Sequence, residues 1–228
     1  MNLGDQTSPR LAGRAERTVL AVPLGATEQH GPHLPLDTDT AIAAELCRRL
    51  ALRVPQVLVA PAIPYGSSGE HAGFSGTLSI GQAALELLIV ELVRSADEFA
   101  GIVLVSGHGG NLEPLNAAVR LLRAEGRNVL AWFPSGPADD SHAGHTETSV
   151  MLRLRPADVT LDAAEAGNTR PLPTLIDRLR GGGVRQVSPN GVLGDPAGAT
   201  AEHGERLLTA WTESLVSRVV GTLNDQFT

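Results

Sequence analysis

The chain has 228 residues, 42% apolar and 19% charged, with mean hydropathy near zero, the composition of a globular domain with a substantial core. No apolar run approaches the ~18 residues a membrane span needs, and a net charge of -7 without a dense basic patch argues against nucleic acid as a partner. All 18 cations are arginine, which removes lysine-nucleophile and Schiff-base chemistry, and the single cysteine, Cys47, excludes an internal disulfide and a thiolate zinc cage, so a reducing cytoplasm is the expected setting.

Residues 1–16 lack the apolar segment of a secretory signal and read as a flexible lead-in, leaving 17–228 as one domain. "RTVLAVPLG" (17–25), "QVLVAP" (56–61), "GIVLVSG" (101–107) and "NVLAWF" (128–133) are short β-branched runs that read as strands. Between them, 39–54, 81–100 and 111–126 carry apolar positions at helical spacing, with Asn111 as a helix N-cap and Gly126 as a stop. Alternation of this kind predicts an α/β fold, a three-layer sandwich around a mostly parallel central sheet. Beyond it, 145–156 reads as a helix ended by Pro156, 167–200 as long surface loops without periodicity, and 200–224 as a helix whose stripe includes Leu207, Leu208, Trp211, Leu215 and Val219.

In open α/β sheets, ligands bind beyond the carboxyl ends of the strands, where loops and helix N-termini converge. Four polar loops follow the four strands here: "GATEQHGPHLPLDTD" (25–39), "IPYGSSGEHAGFSGTLS" (63–79), "SGHGGN" (106–111) and "DDSHAGHTETS" (139–149). Six of the seven histidines fall in them, together with Glu28, Asp39 and Glu147. Nitrogen and oxygen donors without sulfur suit Zn, Mn or Fe in a hydrolytic site, and do not say which. "SGHGGN" matches neither dinucleotide-binding nor P-loop glycine patterns, and neither a G-x-S-x-G elbow nor an H-E-x-x-H helix is present.

These loops, in this order on a chain of this length, resemble the creatininase family of metal-dependent amidohydrolases. The resemblance implies two divalent metal ions per subunit (Zn, Fe or Mn), held by Glu28, His30, Asp39, His108 and Glu147, with Asp39 as the bridge. It implies His142, with Glu147, as the catalytic groups, and backbone N–H groups of Gly109 and Gly110 at the substrate. Creatininase carries a liganding glutamate at the position of Gly110, so Glu147 is the substitute expected for it. Glu70 and His71 stand either for substrate binding or for loop scaffold; His33 and Asp37 read as scaffold, and His145 has no assigned role.

Creatininase also has a tryptophan shortly before its "HAG", where this chain has "SGPADD". The loop wording is most similar to a branch of peptidases that cut a modified ribosomal precursor peptide near its C-terminus and release a Val-Tyr-derived fragment. The expected partner is therefore a peptide substrate, with no nucleic acid and no membrane, and the family resemblance implies a homo-oligomer, a hexamer. Two other readings stay open: an amidohydrolase or deformylase acting on a small cyclic amide metabolite, and a non-catalytic metal-binding assembly protein.

Overall fold

The computed structural model describes residues 1–224. Residues 1–16, read from the sequence as a flexible lead-in, are placed against the domain. They form short helical turns, including α1 (Ser8–Leu11), and Leu3 and Leu11 pack on the core. The Met1 carbonyl accepts a hydrogen bond from the Val59 N–H at 3.0 Å.

Four parallel strands, β1 (Val19–Leu24), β2 (Val57–Val59), β3 (Gly101–Ser106) and β4 (Val129–Trp132), form one sheet in the order β2-β1-β3-β4. Val19 pairs with both Val57 and Gly101, Leu24 with Ser106, and Ile102 with Val129. Every residue of β1 and β3 is buried, which is why both read as unbroken apolar runs rather than alternating ones. Pro23 is tolerated in this central strand because its missing N–H lies on the β2 side, past the last β2 residue. There the Pro23 carbonyl accepts from the Ile63 N–H at 2.9 Å.

Alternation along the strands sends side chains to two faces. One face (Val19, Ala21, Val57, Val59, Val103, Val105, Leu130) packs against α2 (Thr38–Arg53), α5 (His145–Leu154) and α7 (Ala201–Asn224). The other (Leu20, Val22, Leu24, Leu58, Ile102, Leu104) packs against α3 (Gln82–Ser95) and α4 (Leu112–Ala124). The result is the three-layer sandwich read from the sequence. Burying one of the fully enclosed leucines, such as Leu46, Leu50 or Leu208, contributes roughly 1.5–3 kcal/mol. Arg49 forks onto Glu205 at 2.8 and 2.9 Å, pinning α2 to α7.

The segment 167–200 is not loop throughout. It contains α6 (Ile176–Val187), broken at Gly183, whose φ of 72° and ψ of 179° are not helical. A Cβ at Gly183 would press on the Glu70 carbonyl at 2.7 Å, so glycine is required for this chain crossing.

Candidate metal centre

The four loops expected at the sheet edge do converge. Glu28 and His30, two residues apart on the extended exit from β1, are fully buried, and Pro32 and Pro35 turn the chain so that α2 begins with Asp39 in its first turn. His108 follows β3 directly. Ala143 sits in the left-handed region (φ 52°), a conformation that costs an L-residue about 1–2 kcal/mol, and this turn places His142 beside the cluster. The Ala143 N–H donates to Glu147 Oε2 at 2.6 Å.

Two groups of donors share Asp39. On one side stand Glu28, Asp39 and His108; on the other, His30, Asp39 and Glu147. His108 Nδ1 lies 3.2 Å from Glu28 Oε1 and 3.4 Å from Asp39 Oδ2, and His30 Nε2 lies 3.1 Å from Asp39 Oδ1 and 3.7 Å from Glu147 Oε2. The remaining nitrogen of each ring is tied to backbone: His108 Nε2–H donates to the Ser67 carbonyl at 3.0 Å, and His30 Nδ1–H to the Glu28 carbonyl at 3.2 Å. This arrangement orients the inner nitrogen of an imidazole as a metal ligand.

Both carboxylate oxygens of Glu28 and Oδ2 of Asp39 are buried with no hydrogen-bond partner. An uncompensated carboxylate is among the costliest groups to enclose, and a divalent cation is the compensation this donor set fits. Without an ion, the histidines take up the charge. Burial opposes protonation of His30, but Asp39, Glu147 and Glu28 outweigh it and push its pKa up to about 10. Burial also opposes charge on His108, and Glu28 and Asp39 raise it well above the ordinary histidine value. Burial lifts Glu147 to about 7 against the pull of His30. Burial lowers His142, with His30 and His71 adding to the effect, and brings His71 to about 4 despite Glu28.

The remaining residues sort by contact. His71, read as substrate pocket or loop scaffold, is 4% exposed and has Nε2 3.2 Å from Glu28 Oε1, inside the cluster. Glu70 Oε1 is 3.4 Å from His108 Nε2, and its carboxylate occupies the space where a side chain at Gly110 would begin. His33 Nε2 bonds Thr148 Oγ1 at 2.8 Å, and Asp37 takes two bonds from Arg155, at 3.0 and 2.5 Å; both hold the loop. His145 lies apart, stacked edge-on with His203. Gly109 and Gly110 form a short helical turn that leads into α4.

Two residues gained roles that sequence reasoning did not assign. Asn111 stands at the N-cap position but does not cap. Its amide joins three loops instead, accepting from Ser67 N–H at 3.0 Å and donating to the Gly25 carbonyl at 3.1 Å and Ser106 Oγ at 3.2 Å. Gln29, between two candidate ligands, is buried against His71 and His142. A polar amide flanked by two liganding residue types was the available signal for it.

The chain is similar to known proteins over most of its length. The family model for creatininase, creatinine amidohydrolase, matches residues 4–219. The mycofactocin precursor peptide peptidase of Mycolicibacterium smegmatis is 51% identical over 224 residues, covering 95% of this chain and 90% of that protein. The creatinine amidohydrolase of Pseudomonas putida is 30% identical, covering 88% of each. A solved mutant creatininase of Zn-Zn type superposes with a TM-score of 0.76 at 26% identity, over 95% of this chain and 96% of that one.

Proposed function

Because the chain belongs to the creatininase family, we propose that it is a metal-dependent peptidase that hydrolyses an amide bond near the C-terminus of a modified ribosomal precursor peptide, releasing a Val-Tyr-derived fragment. The observation that carries the hydrolytic reading is the pair of buried donor groups sharing Asp39, with orphaned carboxylate oxygens on Glu28 and Asp39 itself. The peptide substrate is supported by the identity to the mycobacterial peptidase, well above that to the creatinine amidohydrolase.

Glu28, Asp39 and His108 would hold one divalent ion and His30, Asp39 and Glu147 the other, with Zn, Fe and Mn all compatible with these donors. Such ions supply Lewis acidity at an amide carbonyl and lower the pKa of water towards neutrality. Glu147 replaces the glutamate that Gly110 lacks. His142, kept neutral by burial, has Nδ1 3.8 Å from Glu28 Oε1, where it can take a proton and pass it to the departing amine. The N–H groups of Gly109 and Gly110 would stabilise the developing oxyanion. Glu70, with 30% of its side chain exposed, lies beside the outer nitrogen of His108 and would contribute to substrate binding from there.

No helix among the described residues is long and apolar enough to cross a membrane. A single domain, expected over 17–228 and joined by Leu3 and Leu11 packed on its core, a cytoplasmic setting and a hexameric homo-oligomer complete the reading. Exposed Leu87, Leu88 and Leu121 on α3 and α4 support self-association.

The test is incubation of zinc-, manganese- or iron-loaded protein with the modified precursor peptide, with creatinine and with a formylated heterocyclic amine, each followed by mass spectrometry. Release of the C-terminal peptide fragment is expected. Turnover of only a small cyclic amide would replace the peptidase reading, and full metal loading with no hydrolysis of any of them would favour an assembly role.

A further inference from the structure

We propose that Gln29 sets the tautomers of His71 and His142, turning an N–H of His71 towards Glu28 and leaving the Nδ1 lone pair of His142 open to the site. This deepens the proposed function and rests on its reading of Glu28 as a metal ligand.

The orientation of the Gln29 amide is fixed by two backbone groups. Oε1 accepts from the Gly31 N–H at 2.8 Å, and Nε2 donates to the Gly191 carbonyl at 3.1 Å. Reversing the amide would set N–H against N–H at Gly31 and oxygen against oxygen at Gly191, so a single arrangement satisfies both. Gly191 itself (φ 84°) must be glycine, since a Cβ there would collide with the amide.

The amide nitrogen has two hydrogens, and one goes to Gly191. Two ring nitrogens compete for the other: His71 Nδ1 at 2.8 Å and His142 Nε2 at 3.0 Å. His142 Nε2 also lies 2.9 Å from the backbone carbonyl of Gln29, which can only accept. His142 Nε2 therefore carries a hydrogen and cannot take the amide's. The second amide hydrogen goes to His71 Nδ1.

A neutral imidazole that accepts at one nitrogen bears its hydrogen on the other. His71 thus turns its Nε2–H, and no lone pair for a metal, to the side of Glu28 Oε1, which lies 3.2 Å away without a formed hydrogen bond. It acts as a positioning residue, its ring hydrogen facing a candidate ligand oxygen and ready to close a hydrogen bond when Glu28 is held by metal, as second partners of metal ligands commonly do. His142, with its hydrogen at Nε2, keeps a free lone pair at Nδ1, the atom that faces the cluster. One buried amide thereby assigns opposite roles to two neighbouring histidines.

Long-range 1H–15N NMR of histidine-labelled protein near neutral pH reads these tautomers directly, in metal-free and zinc-loaded samples. Both His71 and His142 are expected as Nε2–H tautomers in both samples. In Gln29→Glu, whose carboxylate has no hydrogen to give, His71 is expected to move to the Nδ1–H form, with zinc affinity falling about 10–100-fold. Gln29→Met should leave His71 as a mixture of tautomers. A wild-type His71 found as Nδ1–H, or one that keeps Nε2–H in Gln29→Glu, overturns the proposal; the wild-type spectrum decides even if neither variant folds. Failure of the wild type to bind zinc with these tautomers in place would instead sink the metal-ligand reading alone.

Discussion

Helix α2 is buried along one stripe from end to end, yet its two halves are enclosed for opposite reasons. In the first turn, Asp39 is 1% exposed and one of its oxygens has no hydrogen-bond partner; farther along, Leu46, Cys47 and Leu50 are fully enclosed in the apolar core. Burial of the leucines stabilises the fold through apolar area removed from water. Burial of Asp39 works against folding unless another charge compensates it. One helix therefore combines an anchor, which could be almost any well-packed apolar set, with a donor whose burial depends on positive charge beside it, from histidine protons or an ion. The difference teaches that burial alone does not identify what a residue contributes; the fate of its polar atoms does.

The largest expected effect comes from the polar half. Asp39→Asn removes the charge shared by both donor groups. Loss of several kcal/mol of transition-state stabilisation corresponds to about a thousandfold or more in kcat/KM. Metal analysis should show depletion, and denaturant unfolding below pH ~6.5 should find the metal-free variant less stable than metal-free wild type, because protonated His30 loses its main carboxylate partner. Unchanged metal-free stability there would remove Asp39 from the charge balance of the site.

Leu46→Ala acts on the other half. It should cost roughly 2–5 kcal/mol in unfolding free energy through the cavity it leaves, with metal content and kcat unchanged. Loss of metal from this variant would show that the core stripe and the donor turn are not separable.

The smallest effect sharpens the comparison through pH. The pKa of His30 is raised from its unfolded value to about 10 by the carboxylates around it. Its contribution to metal-free stability is therefore fully present below an unfolded pKa of about 6.5 and is lost as pH rises towards 10. Metal must displace that proton, so zinc affinity should rise over the same window. Thermal melts of metal-free and zinc-loaded protein from pH ~6.5 to ~10 should diverge as pH increases; parallel melts would remove His30 from the ligand set.

Much of this was legible in the chain because it depends on pattern. Continuous apolar runs announced β1 and β3, helical spacing announced α2 and α4, and histidines gathered after strands announced the sheet edge. What stayed hidden depends on chemistry without pattern. The glycines at 181–183 interrupt the periodicity of α6, and the short turns of residues 2–17 are too brief to have any. His71 reaches Glu28 across 43 positions, a contact that no local spacing encodes. Gln29 lies between Glu28 and His30, and alternation along an extended chain turns it to the opposite side from both. Its role emerges only once two loops and the Gly191 carbonyl surround it.

The indole N–H of Trp211, on α7, donates to the Ser135 carbonyl at 2.8 Å, at the root of the loop that delivers His142. Trp132, the other tryptophan of the chain, ends the strand immediately before that loop, and both rings lie in the same core cluster. Intrinsic fluorescence is therefore a local reporter here: excitation at the red edge of protein absorption interrogates the hinge of the His142 loop and little else.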